Sequence, residues 1–391
     1  LDNVEEYVYA WRDIIGGKKV TGNDLSLVVP RINWTANTVY TAYDHRANNI
    51  FANNFYILTT DYNVYKCIAN NASANSTVMP TYISPSVTNT ETDGYIWKYM
   101  GTLSTADRTK YLTNEWMPVK RLSADDGSAQ WQVQQAAVEG SIENIVITNN
   151  GINYTNVSNI TITIVGDGSG AVALPKRNTI SNSVSNVSMS SPGSGYHFAN
   201  VTITDRGTGS NAAGYPVISP FYGHGYSMVE ELGGSTLMVN MNITGNESGY
   251  LSTQNDYRQI CLLENPVKYG NTTIYSNSLF TQTMTLTLSQ TGGNYAVDET
   301  VYQGANVAFA TFTGVVLDWN STTSKIQLAQ ITGTPGAAAL LGATSGASRF
   351  NLNTKYYDLK PYTGKILYME NISPIMRADN QTENIKLILK F

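Results

Sequence analysis

A mainly β, multi-domain fold is what this sequence predicts: a discontinuous β-sandwich-like core with a few short helices, plus two inserted small β modules. Three observations carry the expectation. Short runs alternating apolar and polar residues, the period of half-buried strands, recur from Leu25 to the end of the chain. Turn residues punctuate them, with Gly at 32 and Asn also abundant. The charged fraction is only 14%, against roughly a quarter in average proteins. Neutral polar residues and 26 tyrosines fill the gap, which suits a turn-rich β protein with large assembled surfaces.

The same composition narrows function. A net charge of −5 supplies no field to attract phosphates, so nucleic acid is not an expected partner. No apolar stretch has the length of a membrane span. Cys67 and Cys261 are too few for a disulfide framework or a thiolate metal site; both read as buried or partly buried free thiols. At 391 residues the chain can build more than one core.

The first element is a helix over residues 2–15. Val4, Tyr7, Val8, Trp11, Ile14 and Ile15 form its apolar face, Asp2 with Glu5 resembles a capping box, and Gly16-Gly17 ends it. Strands follow at Leu25–Val29, at Phe55–Leu58 and Asn63–Ile68 as a hairpin about Asp61-Tyr62, and from Asp93 to Tyr99. A short helix suits Thr105–Tyr111. Five of the 6 tryptophans fall at or before Trp131, so the principal core should draw heavily on the first third of the chain.

Residues 142–213 hold an internal repeat with a period of 41 to 42 residues. Ile142–Ile147 returns as Val184–Met189, Gly151 and Tyr154 as Gly193 and Tyr196, Ile160–Ile162 as Val201–Ile203, and Gly168–Gly170 as Gly207–Gly209. Two copies are fewer than a solenoid needs, so a two-repeat β module over 123–219 is expected, inserted in a core of 1–122, 220–282 and 351–391. Alternating runs at Thr236–Ile243 and Tyr257–Leu263 belong to that core. Short strands between 283 and 350 predict a second insert, a small barrel or sandwich. The chain then closes with the apolar run Ile366–Met369, fit for a strand buried on both faces. A polar connection follows, then Ile385, Leu387, Leu389 and Phe391 alternate with Lys386 and Lys390.

Candidate chemistry is sparse. His45, His197 and His224 are isolated, and His224 with Glu230 and Glu231 is at most a weak metal hint. The run Gly166-Asp-Gly-Ser-Gly170 has one carboxylate and no Lys, so it reads as a tight turn. No nucleophile elbow, Walker loop or dinucleotide fingerprint is present. No catalytic, cofactor-binding or metal-ligating residue is therefore assigned.

Four ordered pieces carry a resemblance. They are Pro30, Arg31 and Trp34; Asp93, Gly94, Tyr95, Trp97 and Tyr99; Arg258, Gln259 and Ile260; and Tyr368, Met369, Glu370 and Asn371 with Pro374, Gln381, Thr382, Glu383 and Phe391. Together they resemble the β-rich, homodimeric baseplate wedge subunit of T4-like contractile-tailed bacteriophages, over about half the chain. The repeat module and the 283–350 module are not part of that pattern. The family has residues upstream of its first helix, in keeping with a chain that starts at Leu1. The resemblance implies an architectural role in the virion's tail baseplate, assembled in the host cytoplasm. It implies no enzyme activity and no cofactor, and its partners would be a second copy and other wedge subunits. The alternative is a tail protein that binds host-surface glycans through the repeat module.

Overall fold

The computed structural model describes residues 3–85 and 89–390. Among them strands outweigh helices by 46% to 11%, so the fold is mainly β, in several sheets. The chain clusters into two compact units, one of residues 23–240 with 386–391 and one of 1–22 with 241–385.

The first unit contains a sandwich of two four-stranded sheets. One sheet has the strand order Tyr56–Leu58, Asn63–Asn70, Tyr95–Thr102, Asn89–Thr90. The other runs Thr382–Lys390, Thr236–Thr244, Leu25–Pro30, Trp116–Val119. Alternation explains what each face does. Tyr56, Leu58, Val64 and Met100 meet Val29, Met117 and Val119 of the second sheet, with Met228 and Leu232 of the helix Met228–Leu232 beside them. The opposite parity puts Ile57, Tyr65, Cys67, Trp97 and Tyr99 into a second, aromatic layer, covered by Val133 of the helix Ala129–Gln135. The expected hairpin is present, with Leu58 opposite Val64 and Tyr62 at φ 62° in the turn. The helix Thr105–Tyr111 forms where expected, capped by the Ser104 hydroxyl.

The closing strand lies beside Thr236–Thr244, whose other neighbour is Leu25–Pro30. Its partners thus come from far upstream and not from Lys365–Ile375. Its burial is shallower than the alternation suggests: Leu387 is buried, whereas Ile385 and Leu389 are half-buried. Phe391 lies outside the described residues.

The repeat also belongs to this unit, and its two copies interlock. Ile142–Ile152 pairs with Ser210–Ile218, Ile160–Gly166 with Ala199–Asp205, and Ser169–Asn178 with Ser183–Ser194. Every ladder therefore joins a strand of one copy to a strand of the other. Tyr154 and Tyr196 are buried in equivalent places. The Tyr154 hydroxyl accepts from the Ala212 N–H (3.3 Å) and the Tyr196 hydroxyl from the Ala171 N–H (3.4 Å). The Tyr154 N–H donates to Asn182 O (2.8 Å) and the Tyr196 N–H to Gly140 O (3.1 Å). This equivalence corrects the glycine alignment. A Cβ on Gly168 would fall 2.5 Å from the Tyr196 ring and one on Gly209 2.5 Å from the Tyr154 ring, so Gly168 corresponds to Gly209, not Gly207.

In the second unit, Met284–Leu288, Lys325–Gly333, Ala310–Asn320, Thr300–Gly304, Ala339–Gly342 and Ser348–Lys355 close into a barrel. Leu286, Val301, Phe312, Val316, Ile326, Leu328 and Leu340 fill it. Tyr257–Glu264 and Lys365–Ile375 form a separate antiparallel ribbon. The helix Val4–Asp13 packs Tyr7, Ala10 and Trp11, with its cap residue Ile14, against the ribbon's Cys261, Leu263, Ile366 and Met369.

Several expectations are corrected here. The helix's buried stripe is narrower than the sequence implies, since Val4 is 79% exposed and Val8 36%; the cap is Asn3, whose side chain accepts from the Glu5 N–H, and Asp2 lies outside the described residues. Ile366–Met369 is not buried on both faces, because Leu367, 48% exposed, is extruded at a register shift between Leu262 and Leu263. Trp11 buries in this unit and not in the principal aromatic layer.

Gly168→Ala and Gly209→Ala should each overpack the module, by about 1–3 kcal/mol. Gly168→Ala should cost more, because its Cβ also meets Ser194 O at 2.5 Å and Tyr196 N at 2.6 Å. Urea midpoints of the two variants test both the equivalence and the order.

Candidate functional site

Asp93 is the hub for some of the first unit's motif residues. Its Oδ2 accepts from the Thr77 N–H (2.7 Å), the Val78 N–H (3.0 Å) and the Ser76 hydroxyl (3.3 Å), and its Oδ1 from the Tyr95 N–H (3.1 Å). Ser76 Oγ in turn accepts from Trp34 Nε1 at 3.1 Å. One carboxylate thus pins residues 76–78 to the start of the strand Tyr95–Thr102. Gly94 turns at φ +85°, and a Cβ there would strike the Asn71 side chain at 2.7 Å. Tyr95 stacks on Trp97 with ring centroids 5.5 Å apart, and its hydroxyl donates to Ala74 O (2.6 Å). Tyr99 bonds Thr102 Oγ1 at 2.6 Å. Pro30 O accepts from the Tyr56 hydroxyl (2.7 Å), and Arg31 donates Nη1 to Thr113 O (2.8 Å) and Nε to Asn33 Oδ1 (2.9 Å).

The motif residues of the second unit meet in the ribbon. Gln259 stands opposite Asn371, Ile260 opposite Glu370, Cys261 opposite Met369 and Leu262 opposite Tyr368. Gln259 Nε2 donates to Asn371 Oδ1 at 2.6 Å, and the Tyr368 hydroxyl donates to Glu370 Oε2 at 2.7 Å. Arg258 is exposed, 3.9 Å from the Asp256 carboxylate. Pro374 sits near the end of its strand and Thr382 begins the closing one. Between them Gln381 Oε1 accepts from the Ala378 N–H (3.1 Å), and Glu383 pairs with the buried Arg377 at 3.1 Å. These residues hold structure.

The concentrated chemistry lies elsewhere, in the sandwich. Lys66 and Lys98 are directly opposite on neighbouring strands and are 0% and 3% exposed. Like charges facing each other repel, and buried charges need partners. Glu231 supplies one. Its Oε2 contacts Lys66 Nζ and lies 3.8 Å from His224 Nδ1, while its Oε1 accepts from the Gly225 N–H (2.7 Å) and the Ser227 N–H (3.3 Å). Burial alone would raise the Glu231 pKa, but the Lys66 cation, with His224 close by, draws it down to about 2. Burial pushes the Lys66 and His224 pKa values down. His224 also meets the Tyr43 ring edge to face at 4.9 Å.

So His224 and Glu231, the weak metal hint of the sequence, do come together, but around a lysine. Among the described residues no group of three or more His, Cys, Asp or Glu side chains has metal-site geometry. Lys66, Lys98 and Glu143 escaped the sequence reading, because each sits in a strand whose pattern otherwise reads as core or surface; adjacent alternating strands that place Lys on the apolar parity are the signal. The run Gly166–Gly170 is a turn, with Asp167 Oδ1 accepting from the His197 N–H (2.9 Å) and the Phe198 N–H (3.1 Å). Among the described residues, the hollow beside Thr102, Asp107, Lys120 and Met228 has a volume of ≈ 10 Å³, room for about one water.

His45 joins the loop between the sandwich strands Leu25–Pro30 and Tyr56–Leu58 to the repeat module. Its Nδ1 accepts from the Ile218 N–H at 3.2 Å, the Asp44 carboxylate accepts from the Tyr215 hydroxyl at 2.7 Å, and the Arg46 guanidinium lies 4.2 Å from the Tyr215 ring centroid. Burial lowers the His45 pKa, against the opposing pull of Asp44.

Lys66→Met should lower stability by about 3–5 kcal/mol, the cost of stranding a buried charge, as measured by denaturant unfolding. Because the folded pKa of His45 is depressed, its contribution is complete above the unfolded value of about 6.5 and is lost as pH falls through it. Asn can accept the same N–H without titrating. The stability advantage of wild type over His45→Asn should therefore shrink on acidification below that value, and a pH-independent difference would contradict the assignment. A scan against protein-family models finds no match for this chain, and a search of the curated proteins finds none either.

Proposed function

We propose that the chain is a structural subunit of a contractile phage tail baseplate wedge. In this reading it is a homodimeric connector that joins other wedge subunits during assembly and through the rearrangements of host attachment and sheath contraction. The observation that carries it is the meeting of the resemblance-bearing pieces. Arg258–Ile260 and Tyr368–Asn371, more than a hundred residues apart, share one ladder, and Trp34, Asp93 and Tyr95 share one hydrogen-bonded hub. Unrelated short matches have no reason to pair in this way. Two further features favour an assembly role. Among the described residues the ribbon is two-stranded, and a two-stranded sheet has outer edges to which another chain can add. Leu367 and Met376, 48% and 68% exposed, lie on and just beyond it.

A second reading, a host-glycan binder, rests on the repeat module, where Phe198 is 63% and Ile180 93% exposed. Light scattering after size exclusion should give a particle of twice 42.7 kDa. Electron cryo-microscopy of the intact tail should place the chain in the wedge. A monomer throughout the micromolar range, or density only at fibre tips, would overturn the connector reading. Glycan-array binding abolished by Phe198→Ala would favour the second.

A further inference from the structure

Lys66 and Glu231 are 165 positions apart in sequence, yet their side chains touch and are 0% and 3% exposed. The surroundings exceed what a salt bridge needs. Glu231 Oε1 faces two backbone N–H donors, those of Gly225 and Ser227. Glu143 interacts electrostatically with both Lys66 and His224, and its buried Oε2 has no hydrogen-bond partner. His224 Nδ1 is buried and likewise unpartnered. Tyr43 walls the site, with Lys66 Nζ 4.5 Å from its ring centroid. Lys98, the other cation on this face, is engaged with Pro85 O at 3.3 Å. A buried amine is thus held against a carboxylate, with donors on one carboxylate oxygen and an idle second carboxylate nearby.

We propose that Lys66 and Glu231 condense in the folded chain into an intramolecular amide cross-link. The Lys66 ammonium gives up a proton to Glu143, and the freed lone pair attacks Glu231 Cδ. Negative charge gathers on Oε1, where the Gly225 and Ser227 N–H groups stabilise it as they would in an oxyanion hole. The Cδ–Oε2 bond then breaks. Oε2 leaves as water, carrying the two protons that Glu143 relays in turn from the nitrogen. An ammonium and a carboxylate become an amide and a water; nothing is oxidised or reduced, and Glu143 ends unprotonated as it began. Glu143 is the proton carrier, Gly225 and Ser227 the oxyanion donors. His224 is a positioning residue that closes the site beside Oε2. The cross-link does not depend on the assembly proposed above.

Intact-mass spectrometry of the purified, denatured full chain tests it directly. The expected mass falls below the sequence mass by one water. A tryptic digest should contain one branched species joining the Lys66 and Glu231 peptides, with no cleavage after Lys66. The full sequence mass, with cleavage after Lys66, would overturn the proposal whatever any variant does. Lys66→Met should show its own sequence mass. Glu143→Gln, checked for native circular dichroism, should retain the contact but lose most of the cross-link. Cross-linking at the wild-type level in that variant would overturn the role given to Glu143.

Discussion

Two lysines facing each other across the ladder of a buried sheet are the constraint on which the first unit depends. Lys66 and Lys98 occupy the same face as Val64 and Met100, a parity that alternation otherwise reserves for apolar side chains. The sheet cannot bury them unless a carboxylate is delivered from elsewhere. The segment from Pro220 to Leu232 delivers it. Gly225 turns at φ +94°, the Ser227 side chain caps the helix Met228–Leu232, and Gly233 ends it in the left-handed region. The helix is five residues long, too short to stand by propensity, so its position follows from Met228, Leu232 and the ion pair together. Charge fixes which way this segment lies, and the apolar contacts fix how closely.

The repeat module solves a different problem. One copy alone could not hide its tyrosine, because the ring is covered by a glycine belonging to the other copy. Exchange of strands makes each copy the other's core, which is why two copies suffice where a stacked solenoid needs more. The module is then fastened to the sandwich by polar contacts. Asn144 Nδ2 donates to Ile68 O at 3.1 Å, and Asp44 and His45 hold Tyr215 and Ile218. These bonds are directional and partly buried, so they set registry more than they add stability.

Much of this was legible in the sequence, wherever one periodicity dominated. Asn63–Asn70, Thr236–Thr244 and four of the six barrel strands announced themselves by alternation, and the repeat by its Gly and Tyr spacing. The strands Ala339–Gly342 and Ser348–Lys355, which close the barrel, did not, since small residues in one and polar residues in the other blur the pattern. Nor could periodicity tell that the repeat's strands pair between copies, because strand pairing is a long-range choice that local alternation leaves open. The charge cluster was half visible. His224 and Glu231 are neighbours in sequence, whereas Lys66, Lys98 and Glu143 reach them only through the topology.

The low charge content acquires a physical meaning from where the charges lie. Glu299, just before the barrel strand Thr300–Gly304, is 5% exposed and takes N–H groups from Ala296, Thr344 and Ser345. Arg349, 6% exposed, donates to Gly293 O and Ser289 O and lies over Trp319. Arg377 is buried against Glu383. With Lys66, Lys98 and Glu231 these are a small minority of the charged side chains, yet each buried one compels a particular backbone arrangement. Outside, asparagines serve the turns, as Asn149, Asn156 and Asn178 do by accepting from an N–H two residues on. A surface built this way exerts little long-range electrostatic steering. Its associations must be set by shape and by backbone or amide hydrogen bonds, which salt screens far less than it screens ion pairs.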